Sequence, residues 1–237
     1  MTARSLVVAI DGPSGSGKST VSRRVAAALG LAYLDTGATY RAATWLCLER
    51  GVDLHDAAAV TATVRDLARV LELGLDPDAP TFRVEGVDVA AAIRETRISE
   101  VVSFVATNLD ARAALGALQR DAIEAETRPG GFSGGRGVVA EGRDITTVIA
   151  PDADVRLLLT ADEDARLARR ARELHGTVDA AALAATRDQV VRRDAQDSTV
   201  VEFRTAADGV VTLDSSGLDL DQTVDAVLDL VRATVAR

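Results

Sequence analysis

Gly12-Pro-Ser-Gly-Ser-Gly-Lys18-Ser19-Thr20 is the stretch that decides how this chain is read. It fits G-x-x-x-x-G-K-[ST], a loop whose backbone amides cradle nucleotide phosphates. Before it stands Ser5-Leu-Val-Val-Ala-Ile10, a short apolar run of the kind a buried parallel strand shows. After it, Val21, Val25 and Leu29 repeat every four residues up to Gly30, a helix stop. Strand, glycine loop and helix in that order are the context the motif requires. Gly12, Pro13, Ser14, Gly15, Ser16, Gly17, Lys18, Ser19 and Thr20 are therefore expected to hold the phosphates of a nucleoside triphosphate, with the helix N-terminus adding its positive end. Ser19 is expected to offer its hydroxyl to Mg²⁺. Lys18 is the only lysine in the chain. Codon bias explains the arginine excess, but chemistry explains the exception. A compact ammonium on a flexible stem reaches between two phosphates where a planar guanidinium fits poorly.

Bulk properties narrow the class. A length of 237 residues allows one large domain, or a core with an inserted lobe. The net charge of −9 argues against non-specific nucleic-acid binding, so the cations of a phosphate site must be gathered locally. No stretch approaches the roughly 20 apolar residues that span a bilayer. The first apolar run leads straight into the loop and does not read as a signal peptide. A cytoplasmic enzyme with no membrane partner is expected. Cys47 is the single cysteine, so no internal disulfide is possible, and its apolar helical surroundings place it in a core. His55 and His175 are isolated and give metal ligation nothing to build on.

Strand and helix patterns alternate, with one interruption. Leu31–Leu34 reads as a second strand, followed by helices over Thr39–Arg50 and Ala57–Leu71. Short strands joined by turns come next, at residues 71–73, 81–85 and 87–89. Two more helices follow, at about Ile98–Thr107 and Ala111–Glu126. This block reads as a small α+β lobe. The Gly-rich run from Arg128 to Gly137 reads as a flexible return to the core. Val138–Ala140 and Val155–Leu159 resume the buried strands. Helices over residues 163–174 and 179–194, a strand over 209–214 and an amphipathic helix over 220–235 complete the chain. The expected fold class is α/β: a P-loop core of parallel sheet flanked by helices. Residues 1–69 and 131–237 form that core, with a helical lid at about 162–197, and residues 70–130 form the inserted lobe.

Three further features face the carboxyl ends of these strands. Tyr33-Leu-Asp-Thr36-Gly-Ala-Thr-Tyr-Arg41 leaves the second strand, and Thr36 and Arg41 can reach an anionic acceptor. Glu141-Gly-Arg143-Asp144 leaves the strand Val138–Ala140. Arg166, Arg169 and Arg170 share one helical face, and Arg187, Arg192, Arg193, Asp194 and Asp197 follow on the next helix. Two such helices suit a lid that closes arginines over a transferring group and excludes water.

Together these stretches resemble the bacterial cytidylate kinase family. The resemblance is carried by Ile10–Ser19, Leu34–Arg41, Gly142-Arg-Asp144 with Pro151-Asp-Ala153, and Arg192–Ser198. It implies the nucleoside monophosphate kinase fold, with an acceptor-binding lobe at about 70–130. It implies transfer of the γ-phosphoryl group of ATP, with Mg²⁺, to CMP or dCMP by a monomer whose partners are small nucleotides. By similarity, Arg41, Arg143 and Arg193 hold the acceptor phosphate. Ser103, Arg112 and Asp144 read the cytosine edge, and Asp197 meets the sugar. Arg166 and Arg170 join Lys18 around the transferring phosphoryl group. One departure stands out. Family members often carry arginine after Asp-Ser-Thr, where this chain has Val200, which leaves the preference between CMP and dCMP open. A kinase for another nucleoside monophosphate or a small metabolite remains the alternative on the same scaffold. A GTP-binding switch is disfavoured, because its Asn-Lys-x-Asp element needs a second lysine.

Overall fold

The computed structural model describes residues 4–235; of several side chains in residues 173–193, Arg193 among them, nothing is stated. Five strands form one parallel sheet: β1 (Leu6–Asp11), β2 (Ala32–Asp35), β6 (Gly137–Gly142), β7 (Val155–Thr160) and β8 (Val211–Asp214). Their spatial order is β2-β6-β1-β7-β8, with β1 at the centre. Ten of the twelve residues of β1 and β6 are buried, as a strand covered on both faces requires.

The alternation of side chains along β1 sorts the core into two layers. Val8 and Ile10 meet α1 (Lys18–Leu29) and α8 (Leu220–Val235) through Val21, Val25, Val224, Val227 and Val231. Ala9, on the opposite face, meets Leu34, Ile123, Val138, Ala140, Ile145 and Ile149. A separate apolar cluster joins α2 (Thr36–Glu49) and α3 (Ala57–Val70) to a three-stranded antiparallel sheet. That sheet consists of β3 (Leu71–Gly74), β4 (Thr81–Val84) and β5 (Val87–Asp88). A 3₁₀ turn at Ala92–Arg94, α4 (Thr96–Ala106) and α5 (Leu109–Glu126) complete this part. Cys47 is fully buried within it, as its apolar surroundings lead one to expect. Among the described residues no single helix is long and apolar enough to cross a membrane.

Three local differences from the sequence reading have identifiable causes. Helix α2 begins at Thr36, three residues earlier than the apolar spacing suggests, because the Asp35 carboxylate caps it by accepting from the Ala38 amide at 2.9 Å. Helix α5 likewise starts at Leu109 behind Asn108, whose side chain accepts from the amides of Asp110 and Ala111. The Gly-rich segment is not a loose return. It wraps the carboxylate of Glu126, buried at 3% exposure, which accepts from the amides of Phe132 at 2.9 Å and Ser133 at 2.7 Å. A Cβ on Gly131 would sit 2.7 Å from Glu126 Oε1, so glycine there lets the backbone close around a buried charge.

Helices α6 (Glu163–His175) and α7 (Ala180–Asp197) pack together as a hairpin over the stretch expected to form the lid. Capping by Asp162 and Asp179 starts the two helices. Helix α7 runs three residues past the expected end. The extension puts Asp194 and Asp197 one helical turn apart on a single face.

Candidate active site

The phosphate loop, the start of α2 and the end of β6 all leave the sheet at its carboxyl edge, where open α/β sheets bind ligands. They surround a cleft of about 440 Å³. Ser14, Gly15, Gly17, Lys18, Ser19 and Thr20 line one side, while Gly12, Pro13 and Ser16 form the loop behind them. Five cations face the cleft, Lys18, Arg41, Arg94, Arg143 and Arg170, against two carboxylates, Asp35 and Glu141. A chain of net charge −9 has thus concentrated positive charge at one place, as the composition required.

Each cation is held by its surroundings. Lys18 Nζ donates to the Pro13 carbonyl at 3.2 Å, folding back over its own loop. Arg41 is half-buried at the cleft wall, and desolvation lowers its pKa; Asp35 and Glu141 oppose that, while Arg94 and Arg170 add to it. Arg41, Arg94 and Arg170 thus lie close enough to act on one another, with Asp35 and Glu141 as the counter-charges. Arg94, on the 3₁₀ turn, lies 3.6 Å from Asp35 and reaches the cleft from the opposite wall.

The carboxylates are buried at the same edge. Glu141 Oε1 accepts from Ser19 Oγ at 2.6 Å and from Tyr33 Oη at 3.1 Å. Burial raises its pKa, and neighbouring Asp35 raises it further; Lys18 and the two hydroxyls pull it back. The Glu141 carbonyl accepts from Thr36 Oγ1 at 2.8 Å, which ties the start of α2 to the end of β6. Asp11, at the end of β1, does the same for the next turn. It accepts from the amides of Ile145 (2.9 Å) and Thr146 (2.8 Å) and from Thr146 Oγ1 (2.6 Å). Ile145–Ile149 form a π-helical turn with no sequence signal, and Asp11 anchors its start. Arg143 and Asp144 are thereby held between a strand end and an anchored turn.

A second cleft opens beside the first and shares Gly37, Gly142 and Arg143 with it. Its walls are Tyr40, Val102, Ala106 and Val201, and its polar groups are Thr36, Arg112, Asp144 and Asp197. Arg112 donates to Asp144 in a close ion pair, to the Ala106 carbonyl at 2.9 Å, and lies 5.7 Å from the Tyr40 ring centre. Burial raises the pKa of Asp144; Arg112 lowers it and Asp11 raises it. Apolar walls with a guanidinium and a carboxylate side by side suit a flat heterocycle that both donates and accepts hydrogen bonds. Ser103 stands on α4 between Val102 and Ala106, and it is those two neighbours that line the cleft.

Helix α6 packs on the phosphate loop. Arg166 Nη1 donates to the Ser14 carbonyl at 3.0 Å and to Asp194 Oδ2 at 2.7 Å. Arg169 donates to the Ser16 carbonyl at 3.2 Å and to Ser215. Arg170 lines the main cleft. The shared helical face expected for the three arginines is therefore the face turned to the loop. Arg143 Nε forms an ion pair with Asp197 Oδ2 at 2.7 Å, so the two groups assigned by resemblance to phosphate and sugar are joined here. The Arg193 side chain lies outside the described residues.

Sequence reasoning missed Arg94, and it placed Tyr40, Asp194, Glu141 and Asp35 within its motifs without giving them a role. For Glu141 a signal existed, since a carboxylate closing the buried run Val138-Val-Ala140 is costly unless it works there. Nothing in the sequence distinguishes Arg94 from its exposed neighbours.

Comparison with known proteins agrees with this arrangement. The family model for cytidylate kinase matches residues 8–233. A Cutibacterium acnes cytidylate kinase is 46% identical over 99% of this chain and 100% of its own length. A Streptomyces avermitilis cytidylate kinase is 44% identical, covering 97% of this chain and 94% of that protein. A solved Thermus thermophilus structure aligns over 95% of this chain and 97% of its own at 19% identity, with a TM-score of 0.45, too distant to add to the fold argument. By the extent of the family match and the identity of these full-length relatives, the chain belongs to the cytidylate kinase family.

Proposed function

We propose that this protein transfers the γ-phosphoryl group of ATP to CMP or dCMP, giving ADP and CDP or dCDP. The observation that carries the reading is the pair of adjoining clefts sharing Arg143, one lined by the phosphate loop and five cations, the other by the Arg112–Asp144 pair. Donor phosphates in the first and a base in the second would place the acceptor phosphate at Arg41 and Arg143, between them. Phosphoryl transfer asks little covalent chemistry of a protein; it asks for alignment, charge compensation and exclusion of water.

On this reading Lys18 and the loop amides hold the donor. Arg41, Arg143 and Arg193 hold the acceptor phosphate, and Arg166 and Arg170 bring the lid's charge to the transferring group. Asp144 accepts from the cytosine amino group while Arg112 donates to its ring nitrogen and carbonyl. A uracil in the same pose would set its N3–H against Arg112 and its O4 against Asp144. Asp197 approaches the sugar hydroxyls, with apolar Val201 beside it. The three-stranded sheet with α4 and α5 acts as the acceptor lobe, and α6–α7 as the lid.

Mg²⁺ fits the donor set. Ser19, Glu141 and Asp35 present hard oxygen atoms to the phosphate cleft, and two buried carboxylates in proximity favour a divalent cation. Among the described residues no three His, Cys, Asp or Glu side chains are grouped as a complete metal site, so phosphate oxygens and water would have to complete the ion's shell. The bound ion would screen charge on the phosphates.

Calorimetric titration without ATP tests the base-reading role. CMP should bind at least about tenfold more tightly than UMP, since mispaired buried polar groups carry a cost of a few kcal/mol. Equal affinities would remove Arg112 and Asp144 from that role. The lid contact has its own test. Gly15 adopts a φ of +77°, and a Cβ there would meet the Arg166 carbonyl at 2.4 Å. Gly15→Ala should therefore push α6 off the loop and lower kcat by about 10- to 100-fold in a steady-state assay, with the fold retained by circular dichroism.

A further inference from the structure

Asp194 is one carboxylate shared by three segments. It lies on α7 with its side chain 2% exposed. Oδ1 accepts from Arg143 Nη1 at 3.0 Å and from the Ser14 amide at 3.3 Å; Oδ2 accepts from Arg166 Nη1 at 2.7 Å. The donors come from the end of β6, the phosphate loop and the lid helix α6. Burial by itself pushes the Asp194 pKa up, but Arg143, Arg166 and the Ser14 amide outweigh it and leave the group below its ordinary value, ionised at neutral pH.

The contacts leave little freedom. The Ser14 amide is held by Asp194 and its carbonyl by Arg166, so both sides of one phosphate-loop residue are pinned. Arg143 is clamped between Asp194 and Asp197, with its guanidinium 4.3 Å from the centre of the buried Phe203 ring. A carboxylate that only stabilised the lid would need one partner on α6. This one reaches the donor loop and the acceptor arginine as well.

We propose that Asp194 is a positioning residue for phosphoryl transfer, holding the acceptor arginine Arg143 and the lid arginine Arg166 in a single register with the phosphate loop. Closing α6 over the donor and aligning the acceptor then become one event, because one carboxylate serves both. The proposal rests on the roles assigned above to Arg143 and Arg166. Transfer is steep in geometry: a displacement of about 1 Å costs about 100-fold in rate. The effect of losing Asp194 should therefore fall on kcat, while ATP and CMP keep their own contacts and their KM values.

The test is a double-mutant cycle of Asp194→Asn with Arg166→Ala, with Asp194→Glu beside it. kcat, KM for both substrates and the thermal midpoint are measured on each. Asp194→Asn should lower kcat about 100-fold with KM values near the parent's. Asp194→Glu should recover part of the loss. In the Arg166→Ala background the Asn substitution should cost far less, the non-additivity of residues acting through one another. If the Asn variant fails to fold, the cycle is run with Asp194→Glu and the same non-additivity is expected. Parental kcat in Asp194→Asn, or an equal loss with and without Arg166, overturns the proposal. Parental kcat in Arg166→Ala alone overturns the role of Arg166 and the proposal with it, so the two failures are told apart.

Discussion

Lys18→Ala should yield a folded protein whose turnover falls by about 10³-fold or more. Lys18 opens α1 at the carboxyl end of the central strand, and its ammonium lines the main cleft. The fold does not depend on it, because the core contacts of α1 are made by Val21, Val25 and Ala26. On the proposed mechanism, what is lost is the point charge on a flexible stem that would hold the donor phosphates. Arg41, Arg94, Arg143 and Arg170 stay in the cleft, yet each is placed by the wall that carries it. Arg41 is half-buried near Asp35, and Arg143 is clamped by Asp194 and Asp197. Lys18→Arg should not rescue activity, since a planar fork does not replace a point charge on a flexible stem. The checks are a steady-state ADP assay and the thermal midpoint. Near-parental turnover in Lys18→Ala would remove it from the mechanism.

Asp144→Ala should have two separable consequences. The first is chemical: kcat/KM for CMP should fall by about 10²- to 10⁴-fold, while KM for ATP moves little, because Asp144 lines the second cleft and not the first. The second is structural. Arg112 is 15% exposed and loses its carboxylate partner, and removing one member of a buried pair costs about 3–5 kcal/mol. Asp144→Asn separates the two. It keeps an oxygen for Arg112, yet its amide also presents N–H donors that conflict with the donating N4 amino group of cytosine. That variant should fold better than the alanine variant and lose most of its preference for CMP over UMP. Chemical denaturation gives the stability, and an assay with both acceptors gives the preference. Equal losses for ATP and CMP would argue against a base-reading role.

The sequence made the parallel sheet and the loop legible because both follow from local rules. Apolar runs such as Val138-Val-Ala140 read as buried strands, and the glycine pattern read as a phosphate cradle. Boundaries shifted where a polar side chain overrode the apolar period, as Asp35 does at α2 and Asn108 at α5. The site was legible in part. Lys18, Ser19, Arg41, Arg143 and Arg170 stand in the main cleft, and Thr36, Arg112, Asp144 and Asp197 in its neighbour. The roles that stayed hidden, even for residues inside the quoted motifs, act over long sequence separations. Asp11 holds a turn that begins 134 residues later, and Asp194 reaches back 180 residues to Ser14. Neither partner can be read from a periodicity or a motif, since both contacts arise only when the strands have assembled. The Gly-rich segment was misread for a related reason: its glycines make room for Glu126, and a buried carboxylate is invisible in the composition of the loop that surrounds it.

The central claim is that the paired clefts make this chain a kinase for cytidine monophosphates, and acceptor choice tests it most directly. ADP formation from ATP and Mg²⁺ is measured with CMP, dCMP, UMP, AMP and GMP, and with no acceptor. The account predicts turnover on CMP or dCMP at least about 100-fold above UMP and the purines in kcat/KM, the discrimination expected of a site built to hydrogen-bond its base. Preferred turnover on another nucleotide, or none on any of them, would contradict it.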